Sequence, residues 1–223
     1  MCGTGKARAT QNPYLNTTIR SPEHFQEANL ETLLSLMLGV SLSAACGFRI
    51  FVPMLAMSIA AQSGDLTLAS GFEWIGSQEA FWVFAVATVL EVLAYYIPWL
   101  DNALDAIATP TAIVAGTLVT ASAVADVSPL MQWTLAVVLG GSAAGLTQGM
   151  TDVVRLTSTA TTGGLANPLV STMELGSSTV LSILAIALPG VAALLVLLIL
   201  FMAVRKLSRF IQRRRSRPQS SDA

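Results

Sequence analysis

Between Arg20 and Arg205 the chain holds only two of its Lys and Arg residues, Arg49 and Arg155, and no lysine. The remaining positive charge sits at the two ends: Lys6, Arg8 and Arg20 in front, then Arg205, Lys206, Arg209, Arg213, Arg214, Arg215 and Arg217 behind. A soluble domain spreads lysine over its whole surface, whereas a membrane protein gathers Lys and Arg on its cytoplasmic segments. The distribution therefore selects a lipid environment before any motif is considered. It also isolates Arg49, a guanidinium inside an apolar stretch.

Composition agrees. The chain is 53% hydrophobic and 11% charged with a mean hydropathy of +0.65, where soluble domains carry about 25% charged residues. Leu175 to Val204 contains no ionisable residue and is longer than the ~20 residues one bilayer crossing needs. One such run fits a buried core helix, but several in a chain this small do not. Cys2 and Cys46 give no disulfide framework. The first apolar run starts only near Leu33, behind a polar leader that reads as disordered up to about residue 20, so no cleavable signal peptide is expected.

Six membrane segments are expected. Ser21-Pro22-Glu23 is a helix start leading into a first segment over about Leu33 to Ala61, with a kink or break between Cys46 and Pro53. A second segment runs from Ala80 to Ile97, followed by a turn at Pro98 to Asn102 and a short polar helical piece. The third follows Thr109-Pro110 and ends near Ala125; the fourth covers Leu130 to Val154 and is crowded with small residues that let helices approach closely. A hydroxyl-rich loop, Thr157 to Gly164, leads to a fifth segment capped by Asn167-Pro168, and Pro189-Gly190 turns the chain into a sixth, Val191 to Val204. The last two could also form one long kinked helix. The fold class is thus all-α and polytopic, with a leader over 1–30, a transmembrane region over 31–208 and a basic tail over 209–223. Six crossings put both termini on one side, and their charge makes that side cytoplasmic, with residues 62–79 outside and the loop after Arg155 inside.

Two halves of three segments have opposite orientations, so inverted repeats are a candidate plan. Leu38-Gly39-Val40-Ser41 recurs as Leu139-Gly140-Gly141-Ser142, and Ala87-Thr88-Val89-Leu90-Glu91 resembles Ser171-Thr172-Met173-Glu174.

Arg49, Glu91 and Glu174 are the ionisable groups expected inside the membrane, where an unpartnered charge costs about 2.5–3.5 kcal/mol. Arginine does not shed its proton, while a carboxylate can take one. The simplest arrangement pairs Arg49 with Glu91 or Glu174 and leaves the other acid available, with Tyr95 one turn after Glu91 on the same face. Such a set either binds a solute or relays a proton at the midplane, or locks helix packing. Asp101 and Asp105, one turn apart, read as an entrance pair or a solvated helix end, and Asp152 with Arg155 as a local interfacial pair. Thr161, Thr162 and Asn167, in a hydroxyl-rich loop at a helix N-terminus, could hold an anion or simply form a polar connection. No metal or cofactor motif is present, and an enzyme is not expected: a serine nucleophile at Ser142 would need a histidine, and His24 precedes the first segment. The basic tail serves topology and lipid contact, not nucleic acid. The expected partners are membrane lipids and a small polar solute or proton, and a homo-oligomer is compatible with the small-residue faces.

Three stretches together resemble a bacterial family of small integral membrane proteins catalogued as domain of unknown function 4126. They are Ala45-Cys46-Gly47-Phe48-Arg49-Ile50-Phe51-Val52-Pro53, Glu91 through Tyr95 to Asn102, and Thr159 through Gly163-Gly164 to Asn167-Pro168. The resemblance covers roughly residues 33 to 208 and implies membrane location and little else. The reading is a bacterial inner-membrane permease for a small polar solute or lipid headgroup, with a membrane scaffold as the alternative.

Overall fold

The computed structural model describes residues 22–94, 96–125 and 127–215, and they form a helical bundle without strands. Seven helices follow one another: α1 (Pro22–Cys46), α2 (Phe51–Ser63), α3 (Gln78–Ala94), α4 (Pro98–Ala123), α5 (Pro129–Thr162), α6 (Asn167–Ala187) and α7 (Pro189–Arg215). Five of them, α1 and α4 to α7, contain stretches long and apolar enough to cross a membrane. The outer faces are lipid-like: Trp82, Val86, Leu90 and Leu93 on α3 and Leu194, Leu197 and Phe201 on α7 are exposed. The interior instead buries Ser41, Ser43, Thr120, Ser122, Ser178 and Ser182. Apolar outside and small and hydroxylic inside is the packing a bilayer favours, because lipid tails give helices no hydrophobic reason to associate. The chain is a polytopic all-helical membrane protein.

The break expected between Cys46 and Pro53 does more than kink one helix. Gly39 and Ser43 of α1 lie against Thr120 and Gly116 of α4, so α1 runs antiparallel to α4. After the break α2 turns back along α4: Phe51 shares a cavity with Ile107 and Thr111, while Met57 reaches Ser122. α1 and α2 are therefore a helical hairpin whose tip, Gly47 to Ile50, lies about halfway along α4. The 13 residues of α2 cover only about 20 Å, short of the ~30 Å hydrocarbon thickness. Pro53 fits the first turn of α2, where its missing N–H costs no helical bond.

The turn-back changes the expected topology. The start of α1 and the connection between α2 and α3 lie at the same end of the bundle, where Ala69 N–H donates to the carbonyl of Ser122; a single crossing through both helices would have separated them. It also affects the repeat. Gly39 and Gly140, from the two matching Leu-Gly segments, both pack on Thr120, and α5 like α1 runs antiparallel to α4. These segments are parallel to each other, where inverted halves would make them antiparallel.

α4 runs unbroken from Pro98 through Pro110, absorbing the expected turn and the short helical piece before it. α5 starts at a Ser128 cap whose hydroxyl accepts from Met131 N–H, and Gln132 ties it to α4 through the carbonyls of Ala121 and Val124, at 2.8 and 3.1 Å. Its Ala136–Gly141 portion widens into π turns where it meets α4. The two backbones nearly touch there: a Cβ on Gly140 would stand 2.6 Å from the Gly116 carbonyl oxygen. At Leu188, whose backbone leaves the helical region, the chain divides into α6 and α7 instead of continuing as one helix.

Candidate functional site

The hairpin tip brings the intramembrane charges together. Arg49, 1% exposed, donates from Nη2 to the Ser171 carbonyl at 3.0 Å and stands 3.6 Å from the Glu174 carboxylate. Glu174 is thus the partner of Arg49, and it is shared. Arg155, 3% exposed, donates Nε to Glu174 Oε1 at 3.0 Å and Nη2 to its other oxygen. The same guanidinium bonds the Ser171 hydroxyl at 3.1 Å and lies 3.7 Å from Asp105. Ser171 therefore receives one guanidinium on its backbone and the other on its side chain. Glu174 sits three residues later, one turn along the same face of α6.

Glu91 has a different environment. Its carboxylate accepts from Ile50 N–H at 2.9 Å and Phe51 N–H at 3.2 Å, the first free amides at the start of α2. A helix N-terminus leaves such donors unpaired and carries partial positive charge, so an acid there is stabilised twice over. Glu91 caps α2 from a neighbouring helix, and this fixes the tip against α3.

Beside that cap lies a cavity of about 660 Å³ between the tip, α3 and α4. α3 packs on α2, α4 packs on α1 and α5, and the space separates α3 from α4 despite their short connection. Phe48, Phe51, Leu90, Leu104 and Ile107 make its walls apolar; Thr111 and Gln148 add polar groups. Glu91 is the charged side chain among the described lining residues, whereas Arg49 and Glu174 do not line it.

The expected site set thus divides. Arg49, Glu174 and Asp105 meet in the buried ion cluster, and Glu91 faces the cavity one residue away from Arg49 along the tip. Asp105 belongs to that cluster and is not a solvated helix end. Tyr95 and the side chain of Asp101 lie outside the described residues. Thr161 and Thr162 form no anion cradle, because the expected loop is the last turn of α5. Their hydroxyls bond the carbonyls of Thr157 and Ser158, at 2.8 and 2.7 Å, as Thr does when it back-bonds within a helix. Only Gly163 to Ala166 remain as a connection, with Gly163 left-handed at φ 65°. Asn167 is buried and donates to Thr159 Oγ1 at 3.2 Å, pinning the α5–α6 turn.

Sequence reasoning missed Arg155. It was assigned to Asp152, three residues before it, but Asp152 accepts from Thr109 at 2.9 Å and Gln148 at 2.8 Å. The signal was available: Ala144, Thr147, Gln148, Thr151 and Arg155 follow helical spacing, and all are buried. A stripe of that kind is the inward face of a helix.

The pattern of one family covers residues 36–209, and its description reads Domain of unknown function (DUF4126). The chain belongs to this family. No curated protein and no solved structure matches it.

Proposed function

We propose that the protein is a transporter-like permease that passes a small polar solute or a lipid headgroup through a mid-membrane site at the hairpin tip. One observation carries this reading: the Glu91 carboxylate, bound to the start of a half-length helix, faces a cavity inside the apolar zone. Interrupted helices whose N-termini point at a binding site near the bilayer midplane are a recurrent transporter device, and backbone is broken at membrane depth only where protein or a cavity satisfies it. In this reading Glu91 binds and Arg49 positions the tip. The membrane is taken to be a bacterial inner membrane, with Arg205, Lys206 and Arg209 at its cytoplasmic face by their charge.

A second reading, a non-catalytic scaffold, draws support from the other half of the site. Arg49, Arg155 and Glu174 are buried away from the cavity and bond one another, as a packing lock would.

Alternating exposure separates the two. With Cys2 and Cys46 replaced, a single cysteine is introduced by Thr111→Cys and treated with a membrane-impermeant maleimide in right-side-out and inverted vesicles. A permease exposes that position to both aqueous sides in turn, so labelling in both preparations is expected. Labelling in one or in neither overturns the permease reading.

A further inference from the structure

We propose that the cavity between α3 and α4 binds a lipophilic organic cation, with the Glu91 carboxylate as its counter-ion. The inference rests on the permease reading of the same site and replaces its small polar solute with a cation that has an apolar body.

The argument starts from the walls. A strongly hydrated solute entering this space would exchange water for Phe48, Phe51, Leu90, Leu104 and Ile107 and lose hydrogen bonds it could not recover there. An occupant with an apolar body loses nothing. The volume of about 660 Å³ lies within the ~300–1,000 Å³ of pockets that enclose drug-sized ligands.

Charge decides the rest. Around the tip the described residues place two guanidiniums, Arg49 and Arg155, against four carboxylates: Glu174, Asp105, Glu91 and Asp152. Asp152 reaches the cavity indirectly, through its hydrogen bond with the lining Gln148. The region is therefore short of positive charge, and the carboxylate that lines the cavity is hydrogen-bonded by two backbone amides and not by a guanidinium. In a low-dielectric space such a group attracts a cation far more strongly than it would in water. An anionic occupant would have to displace Glu91 from the Ile50 and Phe51 amides and leave that carboxylate in an apolar cavity.

Access fits the same chemistry. α3 and α4 do not pack along each other, and the face of α3 beyond the cavity, with Val86 and Val89, is exposed apolar surface. A cation with an apolar body partitions into a bilayer and can enter between the two helices, whereas a small inorganic ion does not.

Tetraphenylphosphonium is a suitable probe, and tetraphenylborate, of the same shape and opposite charge, its control. Equilibrium binding of radiolabelled tetraphenylphosphonium to the purified full chain in detergent is expected to saturate. Glu91→Gln should weaken it at least tenfold, while retaining a side-chain oxygen for the two amides. Ala87→Trp, which fills the cavity and keeps the Glu91 charge, should weaken it comparably. Tetraphenylborate should not compete. Unsaturable binding, binding indifferent to Glu91→Gln in a protein with wild-type elution and melting, or equal competition by tetraphenylborate each overturns the proposal. If Glu91→Gln fails to fold, the comparison passes to Ala87→Trp and the borate arm, which decide it alone. Two-sided labelling at position 111 without tetraphenylphosphonium binding would leave the permease standing and remove the cation. Binding with one-sided labelling would do the reverse.

Discussion

Glu174→Gln tests whether the ion cluster is one cooperative unit. The substitution keeps size and shape but removes the charge that Arg155 grips through two nitrogens and that Arg49 approaches to 3.6 Å. Both guanidiniums are at least 96% buried as side chains and neither can deprotonate. Removing one partner of a buried pair costs about 3–5 kcal/mol, mostly because the opposite charge is stranded. For a chain of this length each kcal/mol moves the melting midpoint by about 2–4 °C. The expected drop is therefore about 6–20 °C. Cys46 supplies the assay: it is wholly buried beside the tip, so with Cys2 replaced a thiol-reactive fluorogenic dye reports unfolding in detergent. The reasoning adds a sign that single variants do not. Neutralising Arg155 as well, in Glu174→Gln/Arg155→Gln, removes one stranded charge, so the double variant should melt above the sum of the two single losses. A midpoint for Glu174→Gln within about 1 °C of wild type would refute the cluster as a stabilising unit. Strict additivity in the double variant would refute the coupling.

Two further outcomes follow from the packing. A Cβ at Gly47 would lie 2.5 Å from the Ala144 carbonyl oxygen and 2.9 Å from Gln148 N, both backbone atoms that cannot step aside; Gly47→Ala should cost about 1–3 kcal/mol and speed Cys46 labelling in membranes, while Gly149→Ala, with nothing within 4 Å, should melt at or slightly above wild type. Ser128→Ala removes the hydroxyl that accepts from Met131 N–H and should lower stability by about 1 kcal/mol, which chemical denaturation or the same thiol assay will register.

How much was legible depended on what each signal encodes. Charge segregation gave the lipid environment, and the chemistry of buried charge gave Arg49 a carboxylate partner, Glu91 or Glu174, because only a carboxylate can answer a permanent cation in an apolar segment; the structure selects Glu174. The break after Cys46 was visible in Gly47 and Pro53, but its direction was not. Hydropathy has period and length without sense along the membrane normal. The return of α2 is set instead by tertiary contacts of α1 and α2 with Gly116, Thr120 and Ser122 of α4. Thr157 to Thr162 misled because threonine marks loops by composition, yet the hydroxyls of Thr157, Thr161 and Thr162 each find a carbonyl four residues back and the helix continues. That extension carried Arg155 from an expected interface into the interior.

The two halves of the site differ in what neutralisation would cost, and this is what separates holding from exchanging. Protonating Glu174 would weaken the hold on Arg49 and Arg155 together, since both guanidiniums meet that carboxylate. Protonating or pairing Glu91 breaks no guanidinium hydrogen bond: it is held by two backbone amides, and a neutral carboxyl oxygen can still accept from them. A group that changes partners during a transport cycle must be one whose change leaves no buried charge behind; Asp152, held by Thr109 and Gln148, meets that condition away from the cavity, and Glu91 meets it at the cavity wall. The lock and the exchanger are nonetheless joined, because Arg49 directly precedes the residues whose amides hold Glu91. A shift of Arg49 relative to Glu174 moves those amides and with them the cavity wall formed by Ile50 and Phe51. The buried arginine is therefore best understood as the anchor that gives the carboxylate beside it a fixed point to work against.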